Sequence, residues 1–263
     1  MNLNLTEKVI IVTGGAKGIG EGIVSQLALE GAFPVIVGRN EEDNQRAFEK
    51  VQAAGGFGMT VKAELSKPEE CKRAVKEVMD RFGRIHGLVN NAGLNDGVSL
   101  ENGSYEGFVQ SLHSNLIHYY LMAHHALPAL KESKGSIVNI TSKVAETGQG
   151  GTSAYAASNG GRNALTREWA VELLPYGIRV NAVVVAESYT PMYERWIQSL
   201  PDGEKQLEEI NSRIPLGNRM TTVEELANTV VFLLSKRSSH TTGQIIHVDG
   251  GYVHLDRALI RKT

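Results

Sequence analysis

Residues 13–20 read TGGAKGIG and stand between a β-branched run, residues 9–13, and a helical pattern of apolar residues over 19–30. A strand, a glycine-rich turn and a helix in this order form the setting in which a turn binds phosphate, because the free amides at the helix start face an anion. The stretch therefore predicts the first strand, turn and helix of a Rossmann-type fold that binds a dinucleotide.

Three glycines of this stretch each have a separate expected role. Gly14 can take backbone angles that a Cβ forbids, Gly18 lets a pyrophosphate approach the main chain, and Gly20 allows the helix to pack closely on the strand. A glycine turn can also serve only the geometry of a tight strand-to-helix connection. Motifs in the rest of the chain therefore decide whether this turn binds a dinucleotide.

Beyond the turn, short β-branched runs alternate with longer helical patterns. The predicted strands are 9–13, 34–37, 58–61, 87–90, 135–140, 178–185 and 244–248, and the predicted helices are 19–30, 42–54, 68–82, 105–131, 153–174 and 223–234. The alternation predicts an α/β protein: a single-domain Rossmann fold over 1–263, with a doubly wound seven-stranded parallel sheet and helices on both faces. The long irregular region 186–215 is interpreted as a substrate lid, and the alternative is a surface excursion with a small core of its own.

Composition excludes several classes of function. The 263 residues carry a formal net charge of −2, so no basic excess favours nucleic acid as a partner. No apolar run approaches the ~18 to 20 residues that a membrane-spanning helix needs, and the first residues lack a signal-peptide core. Cys71 is the only cysteine, so no internal disulfide is expected and a cytoplasmic location fits.

The end of the second predicted strand bears on the choice between NAD and NADP, because a carboxylate there holds a ribose 2′-hydroxyl and a cation accommodates a 2′-phosphate. Arg39 stands at that point, and Lys17 inside the glycine turn is a second cation within reach. These residues favour NADP. Both cations can instead be solvated, so NAD stays the alternative.

Motifs along the whole chain resemble the short-chain dehydrogenase/reductase family. They are TG-x-x-x-G-x-G at 13–20, NNAG at 90–93, Ser142 thirteen residues before Tyr155, and VDGG at 248–251. The resemblance implies that Asn90 lies near the adenosine ribose, that Thr190 lies near the nicotinamide carboxamide, and that Glu64 replaces an aspartate beside adenine. Together the turn, the cations and the resemblance predict cofactor binding by Gly14, Lys17, Gly18, Ile19, Gly20, Arg39, Glu64, Leu65, Asn91, Ala92, Gly93, Tyr155, Asn159 and Thr190.

The chemistry of alcohol oxidation needs a base for the hydroxyl proton and a donor to the substrate oxygen. Tyr155 is the predicted base and Ser142 the predicted donor, and Asn115 matches the family position that anchors a proton-relay water. A free tyrosine has a pKa of ~10, so the base needs a nearby cation.

Asn159 departs from the family, which has a lysine four residues after the tyrosine. An asparagine can hydrogen-bond ribose hydroxyls but carries no charge, so weaker or alkaline-shifted catalysis is expected. Three explanations stay open: a substitution that traps a complex, a natural variant that recruits another cation, and a binding protein without turnover. Lys143 is the nearest replacement cation in sequence, although it and Ser142 should point to opposite faces.

Within the family, the chain is most similar to the L-fucose dehydrogenase type, which implies oxidation of an aldose at C1 to a lactone. The segments that carry this resemblance are 95–97, 115–120, 148–150, 165–170, 240–243 and 251–259. A sugar needs several fixed donors and acceptors. The predicted substrate residues are Asn95, Asp96, Ser142, Lys143, Gln149, Tyr155, Glu187 and Trp196.

Two rival functions remain: a non-catalytic NAD(P)-binding protein, and a reductase of another carbonyl substrate such as a steroid or an acyl group. No metal is expected, because His124 and His125 are adjacent on a helix and point in different directions. The resemblance also implies a homodimer or homotetramer.

Overall fold

A computed structural model describes residues 2–256, in which one seven-stranded parallel sheet forms the centre. The strands are β1 Val9–Thr13, β2 Phe33–Gly38, β3 Met59–Lys62, β4 Gly87–Asn90, β5 Ser136–Ser142, β6 Arg179–Val185 and β7 Ile245–Val248. Their order in the sheet is β3-β2-β1-β4-β5-β6-β7. The predicted Rossmann fold is confirmed.

Helices cover both faces of this sheet. They are α1 Gly18–Leu29, α2 Glu41–Ala53, α3 Pro68–Phe82, α4 Tyr105–Leu112, α5 His118–Ser133, α6 Ser153–Glu172, α7 Pro191–Gln198, α8 Gly203–Ser212 and α9 Val223–Leu234. Helices α3, α5 and α6 bury their apolar residues against one face, and α1, α2 and α9 against the other. Covering on both sides explains why the central strands are continuous apolar runs rather than alternating ones.

Two regions differ from the sequence prediction. The predicted helix 105–131 is interrupted by one π-helical turn, His113–Ile117, between α4 and α5. Region 186–215 is not irregular, because it contains α7 and α8. A proline at the first turn and the Thr190 side chain, which accepts a hydrogen bond from the Tyr193 amide, begin α7.

Cys71 lies in the core that α3 shares with the sheet and is fully buried. Burial raises the pKa of its thiol to about 12, which makes it an unreactive core residue. Within residues 2–256, none of the helices combines the length and apolarity that crossing a bilayer requires.

Candidate active site

A cleft of about 460 Å³ opens at the carboxyl ends of the strands, where β1 and β4 are neighbours and the connections diverge to opposite faces. Open parallel sheets bind ligands at this switch point. Thirteen of the fourteen predicted cofactor residues line it: Gly14, Lys17, Gly18, Ile19, Gly20, Arg39, Glu64, Leu65, Asn91, Ala92, Gly93, Tyr155 and Thr190. The exception is Asn159.

The glycine turn forms the floor of this cleft. Gly14 has a φ of 64°, and a Cβ there would lie 3.0 Å from the Ala92 Cα. Gly18 has a φ of 56° and faces the Thr190 side chain. Among the described residues, no side chain caps the start of α1. Its first amides are therefore available to an anion, and the turn fits the pyrophosphate of a dinucleotide.

Hydrogen bonds between β1 and β4 hold the turn in place. The Asn91 side-chain amide donates to the backbone oxygens of Thr13 at 2.9 Å and Gly14 at 3.3 Å. Asn90, which the resemblance placed beside the adenosine ribose, is instead fully buried and donates to Asn139 Oδ1 at 3.0 Å. Successive strand residues point to opposite faces, so Asn90 belongs to the core.

Cations and carboxylates are paired at the end of β2. The Arg39 side chain is 73% exposed, and its Nη1 lies 3.9 Å from Glu64 Oε2. Lys17 Nζ lies 2.6 Å from Asp43 Oδ2, and Arg46 also contacts that carboxylate. The Lys17 ammonium, and to a smaller extent the Arg46 guanidinium, hold the pKa of the Asp43 carboxyl below its usual range. Lys17 is thus compensated by Asp43, while Arg39 is the freer of the two predicted phosphate ligands.

Tyr155 and Ser142 reach the cleft from two different elements. Ser142 ends β5, and Tyr155 lies in the first turn of α6. Both line the cleft, so the structure brings the predicted base and donor together. A hydroxyl donor and a phenol that face one cavity are the pair that alcohol oxidation requires.

Asn115 is held by the π-helical turn, a local irregularity that is frequent at functional sites. The side chain is fully buried. Its Oδ1 accepts from the Leu94 amide at 2.8 Å, and its backbone oxygen accepts from Arg162 Nε at 2.6 Å. The backbone oxygen of Asn115, the residue that the resemblance suggests for a relay water, is thus bonded to a guanidinium.

Asn159 differs from its predicted place. It is fully buried and outside the lining of the cleft, so its side chain does not face the ribose. Its Nδ2 donates to the Tyr155 backbone oxygen at 2.8 Å, and its Oδ1 accepts from Arg162 Nη1 at 3.0 Å. Both polar atoms of this short side chain therefore form hydrogen bonds to other residues of α6.

Lys143 also differs from its predicted role as a replacement cation. Its ammonium pairs with the Glu187 carboxylate, and both side chains are only about a tenth exposed, at 11% and 12%. The ammonium also lies 4.3 Å from the centre of the Tyr252 ring. Because the Glu187 carboxylate compensates its charge, Lys143 does not replace the family's lysine as a cation for Tyr155.

The other predicted substrate residues are dispersed. Asn95, Asp96 and Gln149 are exposed, and they lie outside the cleft lining, as do Lys143, Glu187 and Trp196. Trp196 is 45% exposed and packs edge-on against the Tyr193 ring, with 5.1 Å between centres. Of the segment 251–259 that carried part of the resemblance, residues 257–259 lie outside the described residues.

Sequence reasoning missed Tyr193, which lines the cleft. Burial raises the pKa of the Tyr193 phenol. The negative charge of Glu187 and a hydrogen bond to that carboxylate raise it further. Tyr193 therefore stays protonated and donates to Glu187. It connects the cleft to the buried Lys143–Glu187 ion pair.

One group of donors within residues 2–256 is close enough to hold a metal ion, and it lies outside the cleft. It consists of Glu146, His247 and His254, whose ligand atoms lie within 4.8 Å of one another. His247 Nε2 lies 3.2 Å from Glu146 Oε2, and Asn163 donates to the other carboxylate oxygen. Spacing in the sequence gave no sign of this group because Glu146 lies about a hundred residues before the two histidines.

Comparison with known proteins identifies the family. A family model described as Enoyl-(Acyl carrier protein) reductase matches residues 14–253. L-fucose dehydrogenase from Bos taurus is 36% identical over 252 residues, 95% of this chain and 91% of that protein. The chain belongs to the short-chain dehydrogenase/reductase family.

Other proteins match this chain at similar or higher identity. The 3-oxoacyl-[acyl-carrier-protein] reductase FabG of Thermotoga maritima is 36% identical over 95% of this chain and 100% of that protein. The crystal structure of Cj0485 dehydrogenase superposes with a TM-score of 0.96 at 46% identity and covers 100% of both chains. The chain is therefore an oxidoreductase of the NAD(P)-dependent type, and identity alone does not choose its substrate.

Proposed function

We propose that this protein oxidises an aldose similar to L-fucose at C1 to a lactone, with NADP as the preferred cofactor. The observation that carries the proposal is the buried Lys143–Glu187 pair, which Tyr193 connects to the cleft. A pocket for an acyl chain or a steroid would place apolar side chains there, whereas a polyhydroxylated substrate exchanges hydrogen bonds with such groups.

Each residue has a defined part in the proposed reaction. The sugar C1 hydroxyl gives its proton to the Tyr155 phenolate, and Ser142 Oγ donates a hydrogen bond to the same oxygen. A nicotinamide held in the cleft would supply the acceptor for the hydride that leaves C1. The glycine turn orients the cofactor through its backbone, and α7, whose residues Pro191 to Tyr193 line the cleft, covers the site as the proposed lid.

A panel of substrates tests the assignment. Purified protein with NADP and with NAD is mixed with L-fucose, other aldoses, a 3-hydroxyacyl thioester and a hydroxysteroid, and reduction is followed at neutral and alkaline pH. We expect L-fucose-like aldoses to give the highest kcat/KM. Turnover only with the thioester or steroid would replace the substrate class, and tight cofactor binding without any turnover would favour the non-catalytic rival.

Arg39 carries the proposed cofactor preference. Arg39→Gln removes the freer cation at the end of β2, so the Kd for NADP should rise about tenfold while the Kd for NAD changes little. Asp43→Asn is the matched variant, because it frees Lys17 and should tighten NADP binding. Titration of each protein with both cofactors measures the ratio, and an unchanged ratio in both variants would contradict the preference.

The homodimer or homotetramer and the cytoplasmic location stay predictions.

A further inference from the structure

We propose that the Arg162 guanidinium supplies the positive charge for Tyr155 that the family's lysine supplies elsewhere. Arg162 thereby compensates for Asn159. This inference rests on the proposed catalytic function, because it assigns how the base of that reaction is kept active. Arg162 acts through Tyr155 and is therefore a positioning residue.

The position of Arg162 on α6 is the first support. Tyr155, Asn159 and Arg162 are spaced i, i+4 and i+7, so they share one helix face. Arg162 is 3% exposed, yet it belongs to the lining of the cleft along with Tyr155. Gly93 leaves room for it, since a Cβ at Gly93 would lie 2.8 Å from Arg162 Nη2.

Four hydrogen bonds fix the guanidinium. Nε donates to the Asn115 backbone oxygen at 2.6 Å, and Nη2 donates to Asn115 Oδ1 at 3.4 Å. Nη1 donates to Asn159 Oδ1 at 3.0 Å and to the Ile140 backbone oxygen at 3.2 Å. All four acceptors are neutral, so these hydrogen bonds hold the guanidinium in place without an ion pair.

The charge of Arg162 is uncompensated. Within residues 2–256, no carboxylate forms an ion pair with it. His118 and Tyr119 of α5 also face it: burial and the guanidinium lower the pKa of His118 to about 3, and burial raises the pKa of Tyr119. Both are neutral at neutral pH. The Lys143–Glu187 pair carries no net charge. Among the described residues, Arg162 thus brings a charge without an ion-pair partner to the cleft lining that it shares with Tyr155.

Residue types explain why an arginine and an asparagine go together here. Arginine stays protonated when buried, and its planar fork serves several acceptors at once, whereas a lysine ammonium is a compact point charge without that fork. Asn159 accepts from Arg162 and donates to the Tyr155 backbone oxygen, so it couples the two residues. A lysine at 159 would instead place a second cation against Arg162.

The test compares the wild type with Arg162→Gln, Arg162→Lys and the double variant Asn159→Lys/Arg162→Gln. For Arg162→Gln we expect kcat at pH 7 to fall by about 10²-fold and the alkaline rise of kcat to move up by about one pH unit or more. Cofactor Kd should change little. Arg162→Lys and the double variant, which restore a cation, should recover most of the rate and the original pH profile.

A second readout needs neither turnover nor substrate. The ultraviolet absorbance of tyrosinate is titrated with pH in each protein, and the curve of the matching Tyr155→Phe variant is subtracted. The Tyr155 transition should move to higher pH in Arg162→Gln and return in the double variant. Equal curves for wild type and Arg162→Gln would overturn the inference even if no aldose is oxidised. Failure of the substrate panel alone would overturn only the proposed function.

If Arg162→Gln does not fold, Arg162→Lys and Asn159→Lys decide. The inference requires Arg162→Lys to keep the wild-type profile and Asn159→Lys, which adds a second cation, to gain no rate at pH 7. A rate gain in Asn159→Lys would mean that the site lacks a working cation, which contradicts the role of Arg162.

Discussion

Tyr155→Phe should lower kcat for aldose oxidation by about 10²–10⁴-fold, the range over which a positioned acid or base contributes to a rate. The change removes one oxygen from the cleft and leaves the ring in place at the start of α6. Binding of NADP should fall far less than kcat, because Tyr155 is one of many predicted cofactor residues and the phosphate turn and Arg39 are untouched. The main effect is therefore on kcat.

Initial rates at saturating substrate and a cofactor titration on the same preparations separate these two quantities. Tyr176→Phe is the matched control. Tyr176 is 41% exposed and precedes the amino end of β6, whereas the cleft lies at the carboxyl ends of the strands. It should keep the wild-type kcat. If Tyr155→Phe retains more than about a tenth of the rate, another group abstracts the proton and the proposed roles of Tyr155 and Arg162 both fail.

The sheet could be predicted almost completely from the sequence because parallel strands covered on both faces leave an unmistakable pattern of apolar runs. Each of the seven strands lies within two residues of its predicted bounds. Region 186–215 was harder. Its helices α7 and α8 are short and half-exposed, and prolines and glycines surround them, so their periodicity is weak.

The π-helical turn at His113–Ile117 was equally hidden, because no residue type in the sequence marks a π turn. It nevertheless determines where Asn115 points.

The residues of the candidate site fall into two groups, those whose place follows from backbone position and those whose role depends on side-chain partners. Residues whose role comes from backbone position, such as Gly14, Gly18 and Thr190, lie where the sequence placed them, since motif spacing fixes backbone position. Roles that depend on side-chain partners did not follow from the sequence. Lys143 is neutralised by a residue 44 positions away, and the Arg162 Nε bonds an oxygen 47 positions away. Such pairings exist only in the folded chain.

Gly20→Ala should weaken NADP binding by about 100-fold, which corresponds to about 2.7 kcal/mol. A Cβ at Gly20 would lie 2.1 Å from the Gly14 backbone oxygen and 2.7 Å from Asn91 Nδ2. Neither group can move alone, because Asn91 Nδ2 itself donates to the Gly14 and Thr13 oxygens. The start of α1 must therefore shift away from β1, and the amides that face the phosphates shift with it.

Gly22→Ala provides the control that separates loss of binding from loss of stability. Its Cβ would lie 2.1 Å from Val223 Cγ1, a side-chain methyl at the start of α9, so it disturbs the packing of α1 on α9 and not the turn. Both variants should lose about 1–3 kcal/mol of unfolding free energy from overpacking. Only Gly20→Ala should lose cofactor affinity. Urea unfolding and a cofactor titration distinguish the two, and equal loss of affinity in both would mean that binding follows general stability. In that case the phosphates would not depend on the local geometry of residues 13–20, and the dinucleotide would have to be held chiefly by the residues that follow β2 and β6.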